Sequence, residues 1–452
     1  ALRRLGRAVA GRLGSGVEVC AEARGLCPLL CGRNSALMTG RDGLAVPPDD
    51  ELASLLSQAE MTGDLARAVG AVDFVVRPKR PAADARILIQ LATNTYNAYT
   101  NWGGYSLYAY NGRHKVQGRR VSFDRPLASQ FPRWEEPFVR WAEGAGYQLD
   151  YCVNSDLEFR PEILAGYKLV LSVGHDEYWS LPMRENLEKY VAGGGNVAFF
   201  SGNTCCWQVR TEDNGRALAC WKQDFGDDPA YLAGDHARLT SLWSHYLVNN
   251  PENALTGVGF LWGGYHRSHG QFMDGSGAYT AHRPDHWLLA GTDLKRGDPF
   301  GAKLPGYKVV GYECDGCELR WENGVPTPTR RDGTPPTFEV VATAPARWHP
   351  DDAEWYERWD KGRTGYAVMG TYTRGGTVVT VGSTDWAFGL RGNDPAVIGG
   401  TDTADLTETD AAQTTGGTLT RKPCRKGRMV RCGQLATLLG LGLIAKPFFQ
   451  FV

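Results

Sequence analysis

The chain has 452 residues, with 49 lysines and arginines against 50 aspartates and glutamates and a formal net charge of −1. That balance leaves no basic face for nucleic acid, and the length exceeds what one hydrophobic core usually sustains, so two lobes or one core with long insertions is expected. The 56 glycines and 14 tryptophans point to many tight loops around an aromatic interior rather than a helical bundle.

Residues Ala1 to Val17 carry Arg3, Arg4, Arg7 and Arg12, separated largely by leucine, alanine and glycine, with no acidic residue. This reads either as an organelle-targeting segment or as a short basic amphipathic helix that caps the domain or touches a partner. The expected compartment is therefore cytoplasmic or organellar, with a mitochondrial-like basic start, and not secreted. Residues 1–70 form a basic, irregular extension and 71–395 the folded domain. Cys20, Cys27 and Cys31 fall in the extension, and Cys314-Asp315-Gly316-Cys317 is a lone C-x-x-C among eleven cysteines. Without a second pair a structural zinc site is not expected, and reduced thiols are.

Arg86 to Leu91 predicts a buried strand, followed by Ala92-Thr93-Asn94-Thr95-Tyr96-Asn97-Ala98-Tyr99 as a loop. A helix around Arg133 to Gly144, a strand at Gln148 to Val153, a helix from Arg160, a strand at Lys168 to Val173, a helix over Leu181 to Ala192 and a strand at Asn196 to Phe200 follow. This alternation predicts an α/β fold with a parallel sheet and helices on both faces. In open sheets of this kind ligands bind beyond the carboxyl ends of the strands. The strand Val170 to Val173 runs into Gly174-His175-Asp176-Glu177-Tyr178-Trp179-Ser180, which places His175 and Glu177 in that crevice, with Tyr96 and Asn203 from neighbouring strand ends. The second half, from about Leu255 to Leu390, reads as β-rich, with strands at Trp287 to Ala290, Lys308 to Tyr312, Phe338 to Thr343, Gly365 to Tyr372 and Thr377 to Val381; Glu313 is a fourth candidate for the crevice.

Each candidate also has a structural reading. Tyr96 can pack in an aromatic loop, Glu177 can cap the helix beginning near Ser180, His175 can be a hydrogen-bonded core histidine, and Gly202-Asn203 can be a turn. Glu313 is the least explicable in that way, because a carboxylate at a strand end is costly unless paired. Other patterns are weak. Ser201 to Cys206 lacks a nucleophile elbow, and Gly193-Gly194-Gly195 precedes a strand rather than opening a helix, unlike a nucleotide-binding loop. The histidines of Trp262 to His269 lie on a glycine-rich loop. Thr401 to Thr420 reads as a linker, Arg421 to Arg428 as a basic run, and Leu435 to Val452 as an apolar segment interrupted by Lys446-Pro447, short of the roughly 20 residues a membrane span needs. Residues 396–452 are thus a tail, and no transmembrane span or secretory signal is expected.

Several of these stretches together resemble the β subunit of N,N-dimethylformamidase in its C-terminal domain. They are Asn94 to Tyr99, Val121-Ser122-Phe123-Asp124-Arg125-Pro126, Gly174 to Ser180 with Met183-Arg184, Gly193 to Gly195, Gly202-Asn203, and Gly311-Tyr312-Glu313-Cys314-Asp315-Gly316, all within Phe74 to Leu390. The resemblance implies a flavodoxin-like, glutamine-amidotransferase-like core and a mononuclear iron site of two tyrosines and one glutamate that hydrolyses a small amide. Carried over, Tyr96 and Glu177 would be iron ligands, His175 and Asn203 would line the pocket, and Glu313 would be the acid/base carboxylate. One departure stands out: no tyrosine precedes Tyr96, so in the segment resembling the second ligand strand either Asp64 takes the ligand position or Leu65 leaves it empty. Two functions follow. One is a metal-dependent hydrolase of small amides, acting as a homo- or hetero-oligomer; the other is an inactive relative kept as a structural or assembly subunit.

Overall fold

The computed structural model describes residues 17–19, 75–125, 127, 129–266, 276–302, 308–348 and 363–390. Asp64, Leu65, the basic start and the tail lie outside them, apart from the short strand Val17–Val19, which pairs with Val76–Pro78. Among the described residues, eleven strands build one central sheet. In chain order they are β1 (Ile87–Leu91), β2 (Leu149–Val153), β3 (Leu169–His175), β4 (Asn196–Gly202), β5 (Gly259–Tyr265), β6 (Tyr279–Ala281), β7 (Pro299–Phe300), β8 (Glu313–Gly316), β9 (Glu339–Arg347), β10 (Thr364–Arg374) and β11 (Gly376–Thr380).

The order across the sheet is β7-β6-β9-β10-β11-β4-β3-β1-β2, with β5 joining through β9 and β8 pairing with β5. The β2-β1-β3-β4-β11 side is parallel throughout, and the strands beyond β11 pair antiparallel. The fold is therefore mixed α/β. Apart from the separate hairpin Leu319–Glu322 with Val325–Pro328, the strands of the β-rich second half extend the parallel sheet, because β11 pairs with β10 on one edge and β4 on the other.

Alternation explains why the parallel strands read as continuous apolar runs. Ile87, Ile89, Leu91, Leu171 and Val173 pack on one face with Phe138, Val139 and Ala142 of the helix α2 (Glu135–Gly144). Leu88, Val170, Val197 and Phe199 pack on the other with Met183, Leu187 and Val191 of the helix α4 (Leu181–Ala192). Both faces are covered, so both must be apolar.

Local details depart from the sequence expectations. The loop after β1 is instead a short helix, α1 (Thr93–Tyr99). The helix expected from Arg160 is instead a 3-10 turn (Pro161–Leu164), and the α-helix α3 (Asn154–Phe159) ends just before Arg160; in α3, Asp156 accepts the Val153 N–H at 3.0 Å and closes the first turn. Trp287 to Ala290 is a 3-10 turn (Trp287–Leu289), its first turn capped by the side chain of His286. Lys308 to Tyr312 is not a strand either. The Ser383 hydroxyl bonds the carbonyls of Val309 and Gly311, taking the place of a neighbouring strand, and regular pairing begins only at Glu313. No helix among the described residues is long and apolar enough to cross a membrane.

Two glycines let the strand ends approach. Gly174 has a φ of 83°, and a Cβ there would stand 2.3 Å from that of Trp134. At Gly202 a Cβ would meet the Glu313 carbonyl oxygen and the Thr384 nitrogen, each at 2.5 Å. Both obstacles are backbone, so a side chain would force the β4 and β8 ends apart. Gly202→Ala is expected to destabilise the protein by about 1–3 kcal/mol, read as a lower denaturant midpoint; an unchanged midpoint would refute this packing.

Candidate active site

The strand β3 ends at the point where the chain order reverses, between β1, which continues to β2, and β4 on its other side. His175 pairs in register with Gly202 of β4, and the chain then turns through Asp176 into Glu177. The main-chain N–H of Glu177 donates to Thr95 Oγ1 of α1 at 2.9 Å. Asp176 is drawn beneath the sheet end, accepting hydrogen bonds from Gln90, Asn154 (3.0 Å) and Ser172 (2.9 Å). Three elements thus hold the turn that presents His175 and Glu177.

Glu177 is buried and accepts from three donors. Tyr99 Oη lies 2.9 Å from Oε2, Tyr108 Oη lies 2.8 and 2.9 Å from the two oxygens, and Trp207 Nε1 lies 2.8 Å from Oε1. The two phenol oxygens are themselves 2.7 Å apart. Trp207 arrives because Tyr178–Ser180 pairs in parallel with Trp207–Glu212 in a second, smaller sheet. Glu177 does not cap α4; that role falls to Ser180, whose side chain accepts the Met183 N–H.

His175 lies between two carboxylates, with Nε2 at 2.9 Å from Glu313 Oε2 and 3.3 Å from Glu177 Oε2. The contact with Glu313 is a charge contact rather than an aligned hydrogen bond. On its other side Nδ1 stands 3.2 Å from Gln130 Oε1, and the rings of Tyr99, Trp134 and Tyr312 surround the imidazole. Glu313 opens β8 rather than closing a strand, and so reaches the site from the antiparallel half. Asn203 follows Gly202 and is buried.

Lys222 is fully buried, its Nζ 3.4 Å from the ring centre of Tyr108, 4.7 Å from that of Trp207 and 5.1 Å from that of Tyr178. Aromatic faces stabilise an ammonium in such a setting. Nothing in the sequence pointed to Lys222, which sits on an irregular turn with a φ of 54°.

The electrostatics follow from burial set against pairing. For His175 burial opposes the imidazolium, but the carboxylates of Glu313 and Glu177 outweigh it and raise its pKa to about 10. Burial likewise opposes ionisation of Glu177, and His175, Lys222 and Tyr108 overcome it and hold the carboxylate below its ordinary range. Burial lowers Lys222 to about 8 against the pull of Glu177. The phenols of Tyr99 and Tyr108 are pushed well above their usual value by burial and then by the charge of Glu177.

Of the residues singled out from sequence, His175, Glu177 and Glu313 are brought together. Asn203 lies beside them on the adjoining strand end. Tyr96 is buried, but its hydroxyl donates to Glu135, and the hydroxyls that reach Glu177 are those of Tyr99 and Tyr108. Tyr96 and Tyr99 lie one turn apart on α1, and what separates them is their partners, Glu135 for the one and Glu177 for the other. Cys205 and Cys206 are buried free thiols whose pKa values burial pushes well up, the reverse of an activated nucleophile.

Fold and site define an α/β protein with a buried carboxylate, imidazole and phenol cluster at the reversal point of its parallel strands. The family described as N,N-dimethylformamidase beta subunit-like, C-terminal, matches residues 59–399, and the chain belongs to that family. The N,N-dimethylformamidase beta subunit of Alcaligenes sp is 25% identical over 332 residues, covering 60% of this chain and 40% of that protein. That of Paracoccus aminophilus is 27% identical over 184 residues, covering 30% and 24%. The aligned region is thus less than half the length of either relative. Among solved structures, a ThuA-like protein from Bacteroides uniformis aligns with a TM-score of 0.31 at 12% identity, covering 69% of this chain and 86% of that one. A β-galactosidase from Bacillus circulans sp. alkalophilus aligns with a TM-score of 0.30 at 13% identity, covering 68% and 30%. Both are distant.

Most of the shifted groups make stability fall as pH rises through neutrality, although His282 and His286, whose pKa values burial lowers, act the other way up to about 6.5. Burial raises Glu135 and Glu252 to about 7, Asp176 to about 6 and Asp315 to about 8. A carboxyl group with a raised folded pKa stabilises the fold below its unfolded value and loses that contribution as pH climbs to the folded one. His175 acts in the same direction: its contribution is full below about 6.5 and is lost as pH rises toward about 10. The depressed Glu177 opposes this only near and below its unfolded range, and Lys222 only above about 8. The melting temperature should therefore fall between pH 5.5 and 8 in a thermal scan series; a rise over that interval would contradict these assignments.

Proposed function

We propose that this chain hydrolyses small amides at the Glu177, His175 and Glu313 cluster, with iron held by Glu177, Tyr99 and Tyr108. The observation that carries the reading is the convergence of two phenol oxygens on one carboxylate, with all the separations between 2.7 and 2.9 Å. Oxygens about 2.0 Å from one octahedral metal stand about 2.8 Å apart. Among the described residues no group of three or more histidine, cysteine, aspartate or glutamate side chains could hold a metal. Tyr99 and Tyr108 offer the two phenols that the family resemblance implies without calling on a residue before Tyr96. The strand order β2-β1-β3-β4-β11 supports a flavodoxin-like core, whose ligands bind at this reversal point.

When bound, such an ion would polarise an amide carbonyl and lower the pKa of a water molecule. The chain supplies the rest. Glu177 stays ionised beside His175 and Lys222. His175 holds a proton at Nε2 between two carboxylates. Glu313 Oε2 takes a proton from the attacking water, and one returns to the leaving nitrogen as the carbon–nitrogen bond breaks, giving an acid and an amine. Tyr99, Trp134 and Tyr312 wall the imidazole and exclude bulk water. The relatives are named as beta subunits, which favours assembly into an oligomer.

Metal analysis with a visible spectrum, alongside N,N-dimethylformamide turnover, tests this. Stoichiometric iron with a tyrosinate charge-transfer band is expected. Glu177→Ala should abolish the band, Tyr99→Phe and Tyr108→Phe should each weaken it, and Tyr96→Phe should leave it. Glu313→Gln is expected to lower kcat by about 100-fold or more with iron retained. A chain that takes up no iron on reconstitution would overturn the metal reading, and one that then hydrolyses no small amide would favour an assembly subunit.

A further inference from the structure

Asn203, which follows β4 beside His175, and Glu313, which opens β8, lie more than a hundred residues apart in the chain, and one buried side chain joins them. Asp315, two residues beyond Glu313, accepts the main-chain N–H of Asn203 at Oδ1 (2.9 Å) and that of Thr204 at Oδ2 (3.0 Å). Its own N–H donates to the Gly382 carbonyl at 3.1 Å, and the Thr384 N–H donates to the Glu313 carbonyl at 3.2 Å. Asn203 has a φ of 50°, a left-handed conformation that asparagine tolerates better than most residues but that still needs support. Two successive N–H groups aimed at one buried carboxyl group give that support. The Asn203 Oδ1 is buried without a hydrogen-bond partner, so the main chain, more than any bond to that oxygen, decides where the side chain points.

We propose that Asp315 is a positioning residue: by bonding two consecutive main-chain N–H groups it fixes the Asn203 turn to the strand that carries Glu313, and so sets the spacing of these two groups in the site. The inference rests on the amide-hydrolysis reading above. Removing the clamp would leave Glu313 in place and let the Asn203 turn relax by a fraction of a bond length or more, a displacement that costs rate rather than ground-state binding.

The test is a double-mutant cycle on the whole protein with N,N-dimethylformamide as substrate, paired with amide hydrogen exchange. Asp315→Asn sets an amide donor against one of the two N–H groups. It should lower kcat about 10- to 100-fold with KM within about threefold, and speed exchange at residues 202–204. Asn203→Gly fits the left-handed φ and removes the side chain with the clamp intact, so it should lower kcat while those amides stay protected. In the Asn203→Gly background, Asp315→Asn should cost at most about threefold more, because coupled residues are not additive. Independent, multiplying losses would assign Asp315 a general structural role and overturn the proposal, as would an Asn203→Gly enzyme with full kcat, a result that holds even if Asp315→Asn fails to fold. If the parent chain turns over no amide, the hydrolysis reading fails, and the clamp is judged by exchange alone: unchanged protection at 202–204 in Asp315→Asn sinks it.

Discussion

The constraint on which this structure turns is the burial of two carboxylates, Glu177 and Glu313, beside the carboxyl end of β3. Neither could sit there alone, since an unpaired buried charge costs far more than any packing around it returns. His175 stands within 3.3 Å of both, and Lys222, wrapped by Tyr108, Tyr178 and Trp207, supplies a second positive charge near Glu177. The aromatic residues follow from the same need. They exclude water, which strengthens every charge contact inside, and they offer π faces and phenol donors where aliphatic side chains would leave the charges unanswered.

The sheet is what makes that burial feasible. Five parallel strands end on one side of the molecule, and the chain leaves β1 for β2 on one flank and returns as β3 on the other, which opens a crevice that no crossover fills. The antiparallel half then closes it: β8 delivers Glu313 across Gly202, where two backbones come too close for a methyl group. A site built only from the parallel strands would have His175 and Glu177 but no second carboxylate, and His175 would be left with Glu177 as its one charged neighbour among these groups.

What could be read from sequence follows what periodicity can carry. The parallel strands and α4 were legible because burial on both faces gives unbroken apolar runs, and Met183, Leu187 and Val191 recur at helical spacing. His175, Glu177 and Glu313 were legible as candidates because each abuts an apolar run, although His175 and Glu177 also admitted structural readings and only Glu313 was hard to explain without a partner. Tyr99 and Tyr108 were not distinguished from Tyr96, since the choice depends on tertiary partners, Glu135 for Tyr96 and Glu177 for the other two, and on a loop that folds back through Leu107, whose N–H donates to the Ala98 carbonyl. Lys222 left no trace because its partners, Tyr108, Tyr178 and Trp207, come from three separate segments. The segment Lys308 to Tyr312 has strand composition, and only the tertiary placement of Ser383 denies it a ladder.

The tyrosines carry the argument one step further. Burial and the charge of Glu177 both hold Tyr99 and Tyr108 in the neutral form, so in the protein alone they act as donors that satisfy the carboxylate. If the proposed ion binds, its field would favour the oxyanions over the buried phenols. The same three groups would then pass from a closed hydrogen-bonded cluster to a set of anionic oxygen ligands, with the loss of two protons. Such a site would take up its metal more readily as pH rises, since proton release accompanies binding, and it would discriminate in favour of hard, highly charged ions over those that prefer sulfur or nitrogen.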